Sequence, residues 1–233
     1  MHKIAISQAT IDRVLMRRGS LHVYEKLDPA RTAHVVVDLQ NGFMAPGQPA
    51  EIPAAREIVP NVNRISAAVR AAGGLVVYIQ NTIDPAAKEA WSNWFTHMTG
   101  EKRRDAMDVA FAEGSYGHAL WPGLEVLPGD IRVKKNRFSA LIPGASELHS
   151  ILQKRNIDTV IITGTATNVC CESTARDAMM MNYKVIFVSD GTATYNDDEH
   201  NATLGIMLAM FADVMSADEV VACLSRTMSE AAE

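Results

Sequence analysis

Residues Ala33-His34-Val35-Val36-Val37-Asp38-Leu39 form a continuous β-branched run, and comparable runs return at Leu75-Val76-Val77-Tyr78-Ile79, Thr159-Val160-Ile161-Ile162-Thr163 and Lys184-Val185-Ile186-Phe187-Val188-Ser189-Asp190. A strand without polar alternation is buried on both faces, which is the situation inside a parallel sheet covered by helices. Helical periodicity fills the spaces between the runs. From Pro60, apolar residues recur at Val62, Ile65, Ala68, Val69 and Ala72 until Gly73-Gly74 stops the helix. Leu148, Ile151 and Leu152 share a face of a second helix; others run to about Asn182 and from about Asp198 to Phe211. Two short strands, Asp130 to Lys135 and Asp213 to Met215, bring the total to six, and Ser216-Ala217-Asp218-Glu219 is a capping box for the closing helix. Strands alternating with helices predict right-handed crossovers and a Rossmann-like, three-layer α/β/α architecture around a six-stranded parallel sheet.

A chain of 233 residues, 48% apolar and 21% charged, suits one core. The expected organisation is an N-terminal arm over residues 1–30, laid on the body or on a neighbouring subunit, followed by a single domain over 31–233. Residues 84–128 carry no strong strand but hold all three tryptophans, Trp91, Trp94 and Trp121, with Phe95, Phe111 and the cluster Glu101-Lys102-Arg103-Arg104-Asp105. Such a segment is either a lid over a site or an insertion that packs its aromatics on the sheet. A net charge of −5 argues against a nucleic-acid or anionic-membrane surface and leaves a small molecule as the natural partner. Three cysteines, two of them adjacent, make no disulfide framework and no CxxC pair. With no signal-peptide pattern and no apolar span, the expected setting is a reducing cytoplasm.

Three ionisable residues, Asp38, Lys135 and Cys170, fall at or just past strand ends, which share one edge of a parallel sheet. Cys170 lies in Gly164-Thr165-Ala166-Thr167-Asn168-Val169-Cys170-Cys171-Glu172-Ser173-Thr174, where Thr167 or Asn168 would cap a helix and leave Cys170 in its first turn. Attack by sulfur needs the thiolate, favoured by a neighbouring cation and by a helix N-terminus. Asp38 would take the thiol proton and later activate water; Lys135 would hold both partners through its charge. The amide of Cys170 and a second amide from Thr165-Ala166 would receive the oxyanion. Singly, Asp38 also reads as a loop carboxylate, Lys135 as a solvated strand-end lysine and Cys170 as a core thiol. Cys171 and Cys223 are assigned to that last class.

On three motifs the chain resembles the isochorismatase-like cysteine hydrolases, over roughly residues 30–225. These are Val37-Asp38-Leu39-Gln40-Asn41-Gly42-Phe43, Lys135-Asn136-Arg137-Phe138-Ser139-Ala140 and Gly164-Thr165-Ala166-Thr167-Asn168-Val169-Cys170. The second motif selects Lys135 over Lys134. The resemblance implies an Asp38, Lys135, Cys170 triad, a thioester intermediate, a cis peptide bond at Thr165–Ala166 and a homo-oligomer, dimer or tetramer. Family members with a metal near the site place an acidic residue and histidines after the second strand; here Gln80-Asn81-Thr82-Ile83-Asp84 has no histidine, so neither metal nor other cofactor is expected. Cys171 stands where valine is common, and Leu141 replaces the usual phenylalanine after Ser-Ala.

The leading expectation is a cysteine-dependent amidohydrolase that cleaves a C–N bond of a small amide, ureido or carbamoyl compound. Gln40, Asn41 and Asn81 would suit a neutral urea-like group, while Phe43, Trp91, Trp94 and Tyr195 would wall the pocket; packing and loop hydrogen bonds are their alternative roles. No single arginine stands out as a carboxylate clamp among Arg103, Arg104 and Arg137. A vinyl ether hydrolase of isochorismatase type does not need the cysteine, and a binding module has no use for the triad and lacks the GxGxxG turn.

Overall fold

A computed structural model describes residues 1–230, with side chains described through Arg226. In chain order the elements are α1 (Gln8–Arg18), β1 (Thr32–Val37), α2 (Asn41–Met44), α3 (Val59–Ala71), β2 (Leu75–Asn81), α4 (Pro85–Ala90) and α5 (Glu101–Ala110). Then come β3 (Ile131–Lys135), α6 (Leu148–Lys154), β4 (Thr159–Thr165), α7 (Glu172–Met180), β5 (Lys184–Ala193), α8 (Asp197–Ile206), β6 (Asp213–Met215) and α9 (Ala217–Glu230). Short π-helical turns at Trp94–Met98, Thr167–Cys171 and Met207–Phe211 and 3-10 turns at Pro29–Arg31 and Pro53–Arg56 complete them.

All six strands pair in parallel, in the order β3-β2-β1-β4-β5-β6. The chain builds outward from β1 in one direction and from β4 in the other, so β1 and β4 are neighbours whose connections leave to opposite sides. The crevice beyond the carboxyl ends of two such strands is where open α/β sheets bind ligands.

Period-two geometry explains the unbroken apolar runs, because each strand feeds two cores. Val36, Tyr78, Ile161 and Ile186 join Val62, Ile65 and Val69 of α3 and Val220 and Leu224 of α9 on one face. Val35, Val37, Val77, Ile162 and Phe187 join Leu148, Leu152, Ala175, Ala178 and Leu204 of α6, α7 and α8 on the other. Each fully buried aliphatic side chain contributes about 1.5–3 kcal/mol. The capping box forms reciprocally, Glu219 N–H donating to Ser216 Oγ and Ser216 N–H to Glu219 Oε2.

Two boundaries differ from the sequence-based expectation. β4 continues through Thr165 and β5 through Ala193, so Gly191-Thr192-Ala193 is strand rather than loop. The two tails pair after a register shift, Ile162 facing Phe187 but Gly164 facing Thr192, and this interruption of the ladder hid the pairing from a run-length reading.

Residues 1–30 pack on the chain's own body. Val14 of α1 is buried in the second core, and the buried Asp213 carboxylate accepts from the amides of Val23 and Tyr24 and contacts His22 Nδ1. Residues 84–128 contain α4, the Trp94–Met98 turn and α5 and are stitched beside β1: Asn41 N–H donates to Ala119 O, Gly42 N–H to Gly117 O and Trp121 N–H to Leu39 O. A Cβ on Gly42 would lie 2.6 Å from the Phe111 ring, so the approach requires glycine. No helix among the described residues is long and apolar enough to cross a membrane.

Candidate active site

The structure brings Asp38, Lys135 and Cys170 together at the β1/β4 crevice. Asp38 follows β1 directly, in the left-handed region at φ 54°, where a short polar residue is tolerated better than most. Lys135 ends β3 beside Asn81 of β2 and reaches past that strand's end. Its ammonium lies 2.7 Å from Asp38 Oδ2 and donates to Arg137 O at 2.9 Å and to Cys170 Sγ at 3.4 Å. The ion pair is fully buried. The loop after β3 is docked on α7, Ala140 N–H donating to Thr174 Oγ1, which accounts for the close succession of Lys135, Ser139 and Ala140.

Burial dominates the electrostatics. It raises the Asp38 carboxyl above its ordinary value, with the Lys135 ammonium opposing. On Lys135, burial by itself lowers the value, but Asp38 and Cys170 outweigh it and keep the ammonium charged. The Cys170 thiol is pushed up to about 12 by burial, Lys135 opposing and the Asp38 charge adding to it. Burial thus works against the thiolate that a neighbouring cation and helix terminus alone would favour. A buried carboxylate whose value is raised is the group matched to remove the thiol proton.

The turn that carries Cys170 is built by short-range constraints. Gly164 sits at φ 119°, and a Cβ there would stand 2.0 Å from Val37 O, so β1 and β4 can close only on glycine. The Thr165–Ala166 peptide bond is cis. The amides of Val169 and Cys171 both donate to Ala166 O, producing a π-helical turn rather than a side-chain-capped α-helix. Thr167 and Asn168 do not cap it. Burial lowers His200 to about 4, leaving a neutral ring. Its Nε2 lies 3.0 Å from the carbonyl of Ser189, which only accepts, so Nδ1 accepts from Thr167 Oγ1 at 2.9 Å. Asn168 donates to Glu199 and accepts from Thr194. Cys171 is buried in the second core with its sulfur 3.9 Å from Thr163 O.

Above Cys170 opens a cavity of about 440 Å³, within the size range of small-molecule sites. Of the residues expected to bind substrate, Phe43, Asn81, Trp94 and Tyr195 line it. Gln40, Asn41 and Trp91 do not. The Gln40 amide donates to Asn81 O and His118 O and accepts from Asn81 N–H, tying β1's exit to β2, while Asn41 donates to Tyr116 O. Trp91 stacks on Trp94 and meets the edge of Phe138 in a separate surface cleft. Sequence reasoning missed Met98, Thr99, Met107 and Val169 as wall residues, and Arg103 joins the lining while Arg104 and Arg137 do not. Among the described residues no group of three or more His, Cys, Asp or Glu side chains is placed to hold a metal ion. Chemically, a buried carboxylate, an ammonium and a thiol at the base of an apolar cavity suit nucleophilic attack by sulfur on an electrophilic carbon.

Comparisons with known proteins bear on the family. Residues 32–219 match the isochorismatase domain family. The chain is 33% identical to the ureidoacrylate amidohydrolase RutB of Pseudomonas savastanoi pv. phaseolicola over 83% of this chain and 84% of the relative. It is 35% identical to that of Methylobacterium radiotolerans over 79% and 76%. Among solved structures, a cysteine hydrolase from Pseudomonas syringae pv. phaseolicola superposes with a TM-score of 0.74 at 25% identity, covering 86% of this chain and 95% of the other. N-carbamoylsarcosine amidase from Thermoplasma acidophilum superposes with a TM-score of 0.64 at 26% identity, over 81% and 97%.

Proposed function

The chain belongs to the isochorismatase-like hydrolase family, and on that premise we propose that it is a cysteine-dependent amidohydrolase that cleaves a C–N bond of a small ureido, carbamoyl or amide compound. The names of its relatives, ureidoacrylate amidohydrolase and N-carbamoylsarcosine amidase, support that substrate class. The observation that carries the chemistry is the buried Asp38 carboxylate, 2.7 Å from a lysine ammonium that also donates to the Cys170 sulfur.

In this reading the Cys170 S–H proton passes to Asp38 as sulfur attacks the substrate carbonyl carbon. The C=O electrons move to oxygen, and the amides of the Thr165 to Cys170 turn receive the oxyanion. Collapse breaks the C–N bond, the leaving nitrogen takes the proton from Asp38, and ammonia or an amine departs from a thioester. Water then attacks the thioester carbonyl while Asp38 takes its proton; the C–S bond breaks and the proton returns to sulfur. Lys135 keeps the negative charge in place at each stage. A homo-oligomer in a reducing cytoplasm is the setting that goes with this reading.

The test couples ammonia release over a panel of ureas and amides to intact-mass spectrometry. We expect Cys170→Ala to lose turnover at least about 10³-fold, and iodoacetamide modification of Cys170 to run parallel with inactivation. Turnover that survives the substitution, or modification of Cys223 that inactivates first, would overturn the assignment.

A further inference from the structure

The turn that carries Cys170 is held from outside by one neighbourhood, the end of β5 and the helix α8. Thr167 Oγ1 donates to His200 Nδ1 at 2.9 Å, and both residues are fully buried. Asn168 accepts from Thr194 Oγ1 at 2.6 Å and donates to Glu199 Oε2 at 2.9 Å. Just past the nucleophile, Glu172 accepts from Thr203 Oγ1 at 2.7 Å. A group that fixes this neighbourhood therefore also fixes the sulfur.

The first residues of the chain are such a group. Asn201 of α8 holds their backbone, donating to Lys3 O at 2.8 Å and accepting from the Ala5 amide at 2.7 Å. His2 is held through its side chain, which is only 6% exposed. Its Nε2 accepts from the Thr194 amide at 3.1 Å, so Nδ1 is the ring nitrogen that carries hydrogen and donates to Asp197 Oδ1 at 2.8 Å. The ring also stacks on that of His200, with centroids 4.4 Å apart and planes 20° from parallel. One residue thus touches both His200, which holds Thr167, and Thr194, which holds Asn168. Chain termini are ordered where they are tied down, and this one is tied to the support of the nucleophile.

We propose that His2 and His200 are positioning residues of the active site: His2 fixes His200 and Thr194, and these set Thr167 and Asn168 so that the Cys170 sulfur and the amides of its turn are aligned for attack. Neither histidine lines the cavity, so the effect falls on kcat rather than on substrate binding. The role in turnover rests on the amidohydrolase reading; the placement of Cys170 does not.

The test measures kcat, KM and melting temperature, with turnover followed by ammonia release. Thr167→Val keeps the shape and removes the hydroxyl, and kcat is expected to fall about 10- to 100-fold with KM within about threefold of wild type. Thr167→Ser restores the donor and should recover most of the rate. His2→Ala should lower kcat about 3- to 10-fold, and by less in the Thr167→Val background than alone, because part of its effect runs through the same hydroxyl. His22→Ala is the control: it removes an anchor of the same N-terminal arm at Asp213 of the edge strand β6, and should lower the melting temperature without lowering kcat. An unchanged kcat in Thr167→Val, a Thr167→Ser variant as slow as Thr167→Val, fully additive effects, or an equal loss of kcat in His22→Ala and His2→Ala would overturn the proposal. If Thr167→Val does not fold, the comparison of His2→Ala with His22→Ala decides alone.

If the wild-type protein turns over none of the ureas and amides, the hydrolytic reading fails, and the placement of Cys170 is judged by its rate of modification by iodoacetamide. A rate changed at least about threefold in both Thr167→Val and His2→Ala, and unchanged in His22→Ala, supports the positioning role. Equal rates in all three refute it.

Discussion

The base of the cavity is made by strand ends and its cover by short helices, and the two place their functional groups in different ways. At the base, Asp38, Gly164 and Lys135 lie in or directly after paired strands, are buried, and leave little room for substitution. In the cover, the Trp94–Met98 turn and α5 present Trp94, Met98 and Arg103 from a half-exposed segment tied down mainly by aromatic contacts. On the proposed reading, the base determines which bond can be attacked, and the cover which molecule is admitted. A fixed reaction on a variable wall is how one fold comes to serve many substrates.

Substitutions that set one region against the other would break or sharpen this contrast. The largest effect is expected for Gly164→Ala, whose Cβ would meet Val37 O at 2.0 Å in a backbone region that suits glycine. It should destabilise the protein by more than about 4 kcal/mol in urea denaturation; a near-wild-type midpoint would show that the β1/β4 junction yields. Next, Lys135→Met leaves the Asp38 charge buried without its partner and should cost about 3–5 kcal/mol, of which a Lys135→Met, Asp38→Leu double substitution recovers a large part.

A pH profile of kcat/KM probes the base alone. Burial raises Asp38, so the proton acceptor is lost as pH falls through that raised value, and the acid limb should lie above the ordinary carboxylate value of about 4. Below the limb each pH unit costs tenfold, and variants of the cover should leave its position unchanged. The smallest effect is expected for Trp94→Ala, which removes one wall: KM should rise about tenfold, for roughly 1–1.5 kcal/mol of lost contact, with little change in melting temperature. A comparable fall in kcat instead would mean that the cover also orients the reacting groups.

Much of the base was legible in the sequence for the same reason that it is rigid. Strands buried on both faces are written as apolar runs, so a residue that ends one, such as Asp38, is identifiable from one dimension. Lys135 instead ends an alternating edge strand and was separated from Lys134 by the family motif. The cover was not. Gln40 and Asn41 are polar residues at a strand end whether they face a ligand or a neighbouring carbonyl, and only the fold shows that their NH2 groups donate to Asn81, His118 and Tyr116. Thr167 and Asn168 carry the chemistry of capping residues, yet His200, Thr194 and Glu199 are the partners they find, all from distant sequence. Likewise Arg103, Arg104 and Arg137 are equivalent on paper, and they separate only when packing supplies partners to two of them.

The position of Lys135 has one more consequence. Its ammonium faces Asp38, Cys170 and Arg137 O together, so its three N–H groups are committed within the protein and none is left for the substrate. Through the proposed cycle one unit of negative charge circulates about this stationary cation, from carboxylate to sulfur to oxyanion and back, while the total never changes. A buried centre that creates no net charge in any step has nothing for salt to screen, so bond making at sulfur should proceed at the same rate in dilute buffer and in brine.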